Sequence, residues 1–221
     1  IQDEGKDQLL DACRIHPTDW RSLLPENYRD LPEEVLFKQG SPEAMNKPVS
    51  NISYDGAVEF CEWLTQTYNA SDHRRKRFQE VRFYLPTAEE WETAAKGGRD
   101  LSPYPWGGPY NQNAKGCYLN NFNPYLVSLS KEEAIFGPVV DSESPGDDGG
   151  YFTVPVDAYF PNDFELYNMS GNVAEMTAIE GETKGGGWLD PAYYTQIGVS
   201  KTYDLPNANV GFRIFMTVIK E

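Results

Sequence analysis

The sequence predicts a turn-rich domain that combines two amphipathic helices with a few short strands. Three observations support this prediction. The 221 residues include 19 glycines and 16 prolines, aromatic residues make up 14% of the chain, and hydrophobic periodicity is confined to short stretches. This composition is typical neither of a helix bundle nor of a disordered chain. A chain of this length can bury one sizeable core.

The N-terminal segment, residues 1–47, has the pattern of two short helical turns and an irregular linker. Leu9, Leu10 and Cys13 form an apolar stripe. Thr18 is placed to cap a second turn that carries two leucines, Leu23 and Leu24. Prolines then interrupt regular structure repeatedly, at positions 25, 32, 42 and 48. We therefore divide the chain into this segment and a main domain over residues 48–221.

Two helices are predicted within the main domain. The first begins near Ser53 and ends at Asn69–Asp72, and one face is apolar through Ala57, Val58, Phe60, Cys61 and Leu64. The second begins with a capping box of Thr87 and Glu90, and it ends at two glycines, Gly97 and Gly98. Its buried face is predicted to carry Trp91, Ala94 and Ala95.

The predicted strands are short and lie at residues 81–85, 153–156, 186–189 and 211–218. The three cysteines, Cys13, Cys61 and Cys117, show neither a CxxC pair nor the spacing of a zinc cluster. We interpret Cys61 as a core residue and leave a disulfide between Cys13 and Cys117 open. The two histidines, His16 and His73, are expected at the surface.

The net charge of −15 disfavours binding to phosphate backbones and to anionic membranes. No apolar run reaches the length of about 18 residues that a membrane span needs. The chain begins at Ile1 without the pattern of a signal peptide, so we expect a mature or trimmed chain.

One stretch offers ligands for a hard cation. Residues Asn168–Glu175 supply an amide oxygen, a carboxylate and flexible backbone carbonyls, which calcium tolerates in irregular geometry. Spacing alone leaves open a simpler interpretation, in which Asn168 caps a turn and Glu175 is exposed. A second acidic, glycine-rich stretch lies at residues 147–150, and its residues by themselves favour a solvated turn over a metal site.

The order of these motifs resembles the formylglycine-generating enzyme, or sulfatase-modifying factor, family. The similarity covers residues 47–218 and rests on Lys47-Pro-Val49, Phe60-Cys-Glu-Trp-Leu64, Leu85-Pro-Thr through Gly98, Tyr104-Pro-Trp-Gly107, Gly171-Asn-Val-Ala-Glu175, Gly185-Gly-Gly-Trp188 and Gly211-Phe-Arg213. The resemblance implies an α+β fold: the family's loop-rich variant of the C-type-lectin-like fold, with few long elements. Residues 1–46 do not match the family's N-terminal half.

The resemblance also implies calcium. The family's first site would correspond to the side chains of Asn168 and Glu175 with the carbonyls of Gly171 and Val173. The second would correspond to Asn121, Phe122, Asp148 and Gly150. We therefore expect one calcium ion and consider a second.

The same comparison weakens an enzymatic interpretation. The family's oxidases bind copper through two cysteines five positions apart, and Asp190 and Thr195 stand at those positions here. Hard oxygen groups do not replace copper-binding thiolates, so we expect no copper and no catalytic residues of that type. The alternative is a sulfatase-modifying enzyme with an atypical site, for which Asp190, Asp204 and Glu175 are the acid–base candidates.

Within the family, the motifs are similar to the catalytically empty gliding-motility lipoproteins GldK and GldJ of the Bacteroidetes. This implies a structural or partner-binding role in a secretion, gliding or cell-envelope assembly, in the periplasm or at the outer membrane.

We predict a binding face of Trp188, Asp190, Tyr193 and Tyr194, with inward packing of the tyrosines as the competing interpretation. The stretch from Trp188 to Ser200 carries no positive charge, so a protein or neutral glycan partner is expected rather than an acidic ligand. A small-molecule or carbohydrate sensor module is the third hypothesis.

Overall fold

The computed structural model describes most of the chain, namely residues 11, 13–24, 26, 29–36, 44–71, 78–124 and 150–220. The helices of this part are α1 (Glu33–Leu36), α2 (Tyr54–Ala70) and α3 (Ala88–Lys96), with 3-10 turns at Trp20–Leu23 and Ala192–Thr195. The strands are β1 (Glu80–Tyr84), β2 (Ala174–Met176), β3 (Glu182–Lys184), β4 (Ser200–Thr202), β5 (Val210–Phe212) and β6 (Phe215–Lys220). The described residues therefore contain few long helices or strands, and long irregular connections join them, as predicted.

Both helix predictions are confirmed, and local capping explains their boundaries. The Ser53 side chain accepts a hydrogen bond from the Gly56 amide at the start of α2. At α3 the capping box forms: Thr87 accepts from the Glu90 amide, and the Glu90 carboxylate accepts from the Thr87 amide. The helix ends at Gly97, whose φ of 57° is left-handed.

The strands form two small sheets. In the larger sheet the order is β4-β3-β2-β5, antiparallel except for the parallel pair of β2 and β5. In the smaller sheet β1 pairs with β6 in antiparallel fashion. The predicted strand at residues 81–85 is thus confirmed to within one residue, and the predicted strand at 211–218 is divided into β5 and β6.

The other two predicted strands are wrong. Thr153 and Val154 are buried, but residues 153–156 are not in a sheet, because the side chain of Asn172 takes the place of a neighbouring strand. Its Oδ1 accepts from the Val154 amide at 2.9 Å and its Nδ2 donates to the Val154 carbonyl at 3.1 Å. At residues 186–189 the extended backbone is interrupted, since β3 ends at Lys184 and the left-handed Gly185 and Gly186 turn the chain.

The N-terminal segment packs differently from the prediction. The 3-10 turn begins after Asp19 rather than Thr18. The Thr18 hydroxyl accepts from Asn51 Nδ2 instead, at 2.9 Å. Leu24 is buried as the sequence implied, whereas Leu9 and Leu10 lie outside the described residues.

Three buried apolar clusters hold the described residues together. One packs α2 against the larger sheet, one packs α3 against Met169 and Ile197, and one joins Leu24 and Leu36 to Trp188. Cys61 lies in the first cluster, as expected. All three cysteines are free thiols, so the disulfide considered above is not formed. No helix of the described residues combines the length and the apolar character that crossing a bilayer requires.

Candidate functional site

The loop from Asn168 to Glu175 contains three residues with left-handed backbone: Asn168 (φ 49°), Gly171 (φ 79°) and Asn172 (φ 72°). Asparagine and glycine adopt this conformation more readily than other residues. Gly171 has a second constraint, since a Cβ there would collide with the Asn121 carbonyl oxygen. The loop therefore lies tightly against residue 121 and aims its side chains inward.

The Glu175 carboxylate at the end of this loop is a buried anion, with 5% of the residue exposed. Arg213 pairs with it through Nη2 at 2.8 Å and Nε at 2.9 Å, and the Trp91 indole donates to it at 2.7 Å. Charge and hydrogen bonds are thus both compensated within the protein. The interpretation of Glu175 as an exposed residue is wrong.

The four residues of the first predicted calcium site, Asn168, Gly171, Val173 and Glu175, line one cavity of about 270 Å³ together with Arg213. Asn168 Nδ2 donates to the Pro155 carbonyl at 3.0 Å, whereas Asn168 Oδ1 is buried without a hydrogen-bond partner. A buried oxygen without a donor is costly unless a ligand compensates it. The donor set and the orphaned oxygen fit a hard cation. Arg213 already neutralises Glu175, so an ion would share that carboxylate with it.

The second predicted calcium site is only partly within the described residues, because Asp148 lies outside them. Asn121 resembles Asn168 in its bonding: Nδ2 donates to the Phe152 carbonyl at 2.8 Å, and Oδ1 is buried without a partner. Phe122 is buried beside it. Among the described residues, no group of three or more acidic, histidine or cysteine side chains forms a metal-binding cluster.

Asp190, at the first of the two positions compared with the family's cysteines, is buried with 1% of its side chain exposed. Its carboxylate pairs with Lys201 and accepts from the Gly187 amide at 2.9 Å and from Asn209 Nδ2 at 2.8 Å. The Lys201 ammonium also lies 5.2 Å from the centre of the Tyr194 ring, which is cation–π geometry. Asp190 therefore joins Lys201 in β4, the turn at Gly187 and Asn209.

Thr195, at the second position, is fully buried at the end of the 3-10 turn. Its hydroxyl donates to the Ala192 carbonyl at 2.9 Å, and its carbonyl accepts from the Ser170 hydroxyl at 2.7 Å. The buried phenol of Tyr104 also hydrogen-bonds Thr195, and burial raises the pKa of Tyr104. The hydroxyl is thus committed to local hydrogen bonds.

The prediction of an exposed binding face is wrong for three of its four residues. Trp188, Asp190 and Tyr194 are buried, and Tyr193 is half-buried. For Trp188 the physical reason is the N-terminal segment: Trp20 lies 6.0 Å from Trp188 between ring centres and covers it. The competing interpretation, inward packing, describes Trp188 and Tyr194.

An exposed aromatic surface lies elsewhere, on the loop after residue 158. Phe160 is 88% exposed and Phe164 is 55% exposed. We call the loop that carries these two rings, residues 159–164, the aromatic loop. The sequence analysis did not identify this stretch as a surface, although two phenylalanines flanking polar residues in a turn are a recognisable signal of exposed aromatics.

The aromatic loop is held firmly by its polar residues. Asn162 Nδ2 donates to the last carbonyls of α3, at 2.7 Å to Ala94 and 3.1 Å to Ala95. Asp163 and Arg99 form two parallel hydrogen bonds of 2.7 and 2.9 Å. The phenylalanine side chains are thus exposed on a backbone that is already ordered.

Sequence analysis missed the cations that neutralise the two buried carboxylates. Lys201 pairs with Asp190 and Arg213 pairs with Glu175 across 11 and 38 residues of sequence. Arg213 was visible as part of the Gly-Phe-Arg motif, but pairing at that separation has no local signature. Of the acid–base candidates, Asp204 is exposed and is not joined to the other two.

Comparison with known proteins shows which family the chain belongs to. A family model described as the sulfatase-modifying factor enzyme 1-like domain matches residues 14–218. The inactive C-alpha-formylglycine-generating enzyme 2 of Bos taurus is 30% identical over 192 residues, covering 79% of this chain and 52% of that protein. The formylglycine-generating enzyme of Thermomonospora curvata is 32% identical over 173 residues, covering 77% and 45%. The chain therefore spans about half the length of the curated relatives it matches.

A solved structure agrees at the level of the fold. PvdO from Pseudomonas aeruginosa superposes with a TM-score of 0.54 at 18% identity, over 76% of this chain and 61% of that one. At this identity the likeness concerns the fold alone. The family resemblance and the loop-rich α+β fold predicted from the sequence are both confirmed, while a particular closeness to GldK and GldJ stays a prediction.

Proposed function

Because the chain belongs to the sulfatase-modifying factor enzyme 1-like family, we propose that it is a non-catalytic member whose calcium-stabilised, lectin-like domain binds a partner. The observation that carries the proposal is the state of Asp190 and Thr195. The sequence resemblance assigns these two residues to the positions of the copper-binding cysteines in the family's oxidases, and both are buried in hydrogen bonds to the protein. The name of the Bos taurus relative, an inactive enzyme, is in keeping with this proposal.

The chain's own cysteines do not offer a substitute pair. Cys61 is buried in α2, Cys117 is exposed in a loop and Cys13 lies in the N-terminal segment. Burial raises the pKa of the Cys61 thiol to about 11, so it is protonated near neutral pH. A thiolate pair for Cu(I) at the family's position is therefore not supported.

The test is an assay of thiol oxidation on a C-x-P-x-R peptide with Cu(I), using the Thermomonospora curvata relative as the positive control. We expect the relative to convert the peptide and this chain to leave it unchanged. Copper-dependent formation of formylglycine by this chain would overturn the proposal. It would support the alternative, a sulfatase-modifying enzyme with an atypical site, as the names of other relatives allow.

Calcium at Asn168, Gly171, Val173 and Glu175 would supply stability rather than chemistry. These residues belong to the loop that enters β2, the strand on which the larger sheet is centred. An ion bound there would fill the cavity and compensate the orphaned Asn168 oxygen. A second ion at Asn121, Phe122, Asp148 and Gly150 is proposed on the weaker support of one orphaned oxygen.

We propose the aromatic loop as the partner surface, instead of the buried residues around Trp188. Exposed aromatic rings on an ordered backbone are suited to binding, because little conformational entropy remains to be lost. Both a protein partner and a neutral glycan can use such rings, and the net charge of −15 disfavours acidic partners.

The experiment compares the wild type with a Phe160→Ser, Phe164→Ser double variant, using a Leu101→Ser variant as the control. Leu101 is fully exposed, so its change removes a comparable apolar residue elsewhere. A glycan array and a pull-down from a periplasmic fraction identify the class of partner. We expect the double variant to lose binding and the control to keep it. Equal binding by all three chains would exclude the aromatic loop as the partner surface.

Localisation is part of the same proposal. We place the protein in the periplasm or at the outer membrane, in a secretion, gliding or other envelope assembly, on the support of the resemblance to gliding-motility lipoproteins. Fractionation of the source cells tests this placement, and recovery in the cytosol would contradict it.

A further inference from the structure

A second cavity, of about 350 Å³, lies between the N-terminal segment and the main domain. Its volume is within the range of small-molecule sites. The walls are largely apolar, through Ile15, Pro17, Met45 and Val49, with hydroxyl groups from Thr18 and Ser50. The side of the cavity formed by residues 44–50 also includes a lysine, Lys47.

The cavity walls are held in place by hydrogen bonds. Asn51 Nδ2 donates to the His16 carbonyl at 2.8 Å and to the Thr18 hydroxyl at 2.9 Å, and the His16 amide donates to the Asn51 carbonyl at 3.0 Å. On the other side, the Lys47 amide donates to the Ala44 carbonyl at 2.9 Å. The backbone of the cavity walls is therefore held in place by the protein itself, and the apolar side chains of Ile15, Met45 and Val49 are exposed along it.

Lys47 is an unusual residue for this position, since it is buried with 6% of its surface exposed. Its ammonium donates to the Thr153 carbonyl at 2.7 Å. None of the ion pairs among the described residues includes it. The other buried lysine, Lys184, is paired with Glu92 at 2.6 Å. A buried cation without an anion is unfavourable, and burial accordingly lowers the pKa of Lys47 to about 8.

We propose that this cavity binds a small organic carboxylate with an apolar body, whose carboxylate pairs with the Lys47 ammonium. The anion supplies the charge that the described residues do not supply, and the apolar body lies against Ile15, Met45 and Val49. A phosphate fits less well, because a strongly hydrated dianion needs more than one cation, and the residues that line the cavity include one lysine and no arginine. The site is separate from the aromatic loop, and Pro48 lines both this cavity and the cavity of the proposed calcium site.

The test titrates the intact chain with sodium benzoate and, in parallel, with benzyl alcohol, which has the same ring and no charge. Binding is followed by the indole NH signals of the five tryptophans, since Trp20 lines the cavity. We expect benzoate to shift the Trp20 signal saturably and benzyl alcohol to bind at least tenfold more weakly. Equal responses to the two probes would overturn the proposal. So would the lack of a saturable response to benzoate at concentrations up to about 10 mM, the range in which weak fragments bind.

The matched variants are Lys47→Met and Lys115→Met, since Lys115 is exposed and lies outside the cavity. We expect Lys47→Met to weaken benzoate binding tenfold or more and Lys115→Met to leave it unchanged. Unchanged binding by Lys47→Met would show that the lysine is a structural hydrogen-bond donor only. If Lys47→Met does not fold, the comparison of the two probes on the wild type still decides the proposal. Neither outcome affects the aromatic loop.

Discussion

Two loops of this protein each hold a buried carboxylate paired with a distant cation, yet they differ in what they leave unsatisfied. At Asn168–Glu175, the ion pair of Glu175 and Arg213 borders a cavity in which the Asn168 oxygen has no partner. At Gly186–Thr195, Asp190 and Thr195 bond to neighbouring protein groups. The first loop therefore has a cavity and an unpaired oxygen that a ligand can occupy. We call the second the closed loop, because neighbouring protein groups already bond to its polar side chains.

The largest effect is expected from Asp190→Ala, which removes the anion that closes the second loop. The buried Asn209 Nδ2 and Gly187 amide lose their acceptor, at about 1–3 kcal/mol of unfolding free energy each, and Lys201, which is 37% exposed, loses its ion pair. Urea denaturation measures the loss. Asp163→Ala is the control, since it breaks the exposed pair with Arg99, and such pairs contribute little. Losses of equal size would mean that Asp190 is not a structural anchor.

Tyr194→Ala tests whether the second loop is core or contact surface. Because Tyr194 is buried, we expect a loss of about 3–4 kcal/mol, the range of large-to-small changes in cores. The half-buried neighbour Tyr193, changed to alanine, serves as the control and should lose much less. The comparison uses thermal and urea unfolding together with partner affinity. Lost affinity at nearly full stability in Tyr194→Ala would restore the binding-face interpretation.

Calcium removal tests the first loop. An ion bound only by the folded chain adds about 2.7 kcal/mol at a hundredfold excess over its dissociation constant, so we expect EDTA to lower the melting temperature. Asn168→Gly should abolish this response, since glycine keeps the left-handed backbone while removing the orphaned oxygen.

The control for the calcium prediction is Glu165→Gly. Glu165 is exposed and also left-handed, with φ 62°, so the change has the same effect on the backbone without touching the cavity. This variant should respond to EDTA as the wild type does. A melting curve that EDTA leaves unchanged, after exhaustive dialysis, would remove the basis for treating the two loops as different.

The smallest effect concerns the reactivity of two of the free thiols, Cys117 and Cys61. Cys117 is exposed and Cys61 is buried, so iodoacetamide at pH 8 should label Cys117 and spare Cys61 until the chain unfolds. Burial raises the pKa of Cys61 to about 11, so the folded state retains this proton after the unfolded state has lost it. The contribution of Cys61 to stability should therefore fall as the pH rises from about 9 to 11. Mass spectrometry of labelled peptides checks the order of reactivity.

Features with local causes could be read from the sequence. The capping residues Ser53, Thr87 and Glu90 determine where α2 and α3 begin, because capping hydrogen bonds join residues three apart. The buried position of Cys61 follows from helical periodicity in the same way. The family resemblance, and with it the fold, rests on motifs whose order along the chain is itself a property of the sequence.

Only the tertiary structure decided what each of the polar motifs contacts. Asn172 replaces a strand for Val154, and Arg213 reaches Glu175 from 38 residues away. The four residues of the predicted binding face were identified as polar or aromatic, but Trp20 buries Trp188 from the far end of the chain. Burial and charge compensation depend on groups that are distant in sequence, so residue patterns along one segment do not determine them. The sequence by itself therefore determined the family and the helices, whereas packing decided which residues remain available for binding.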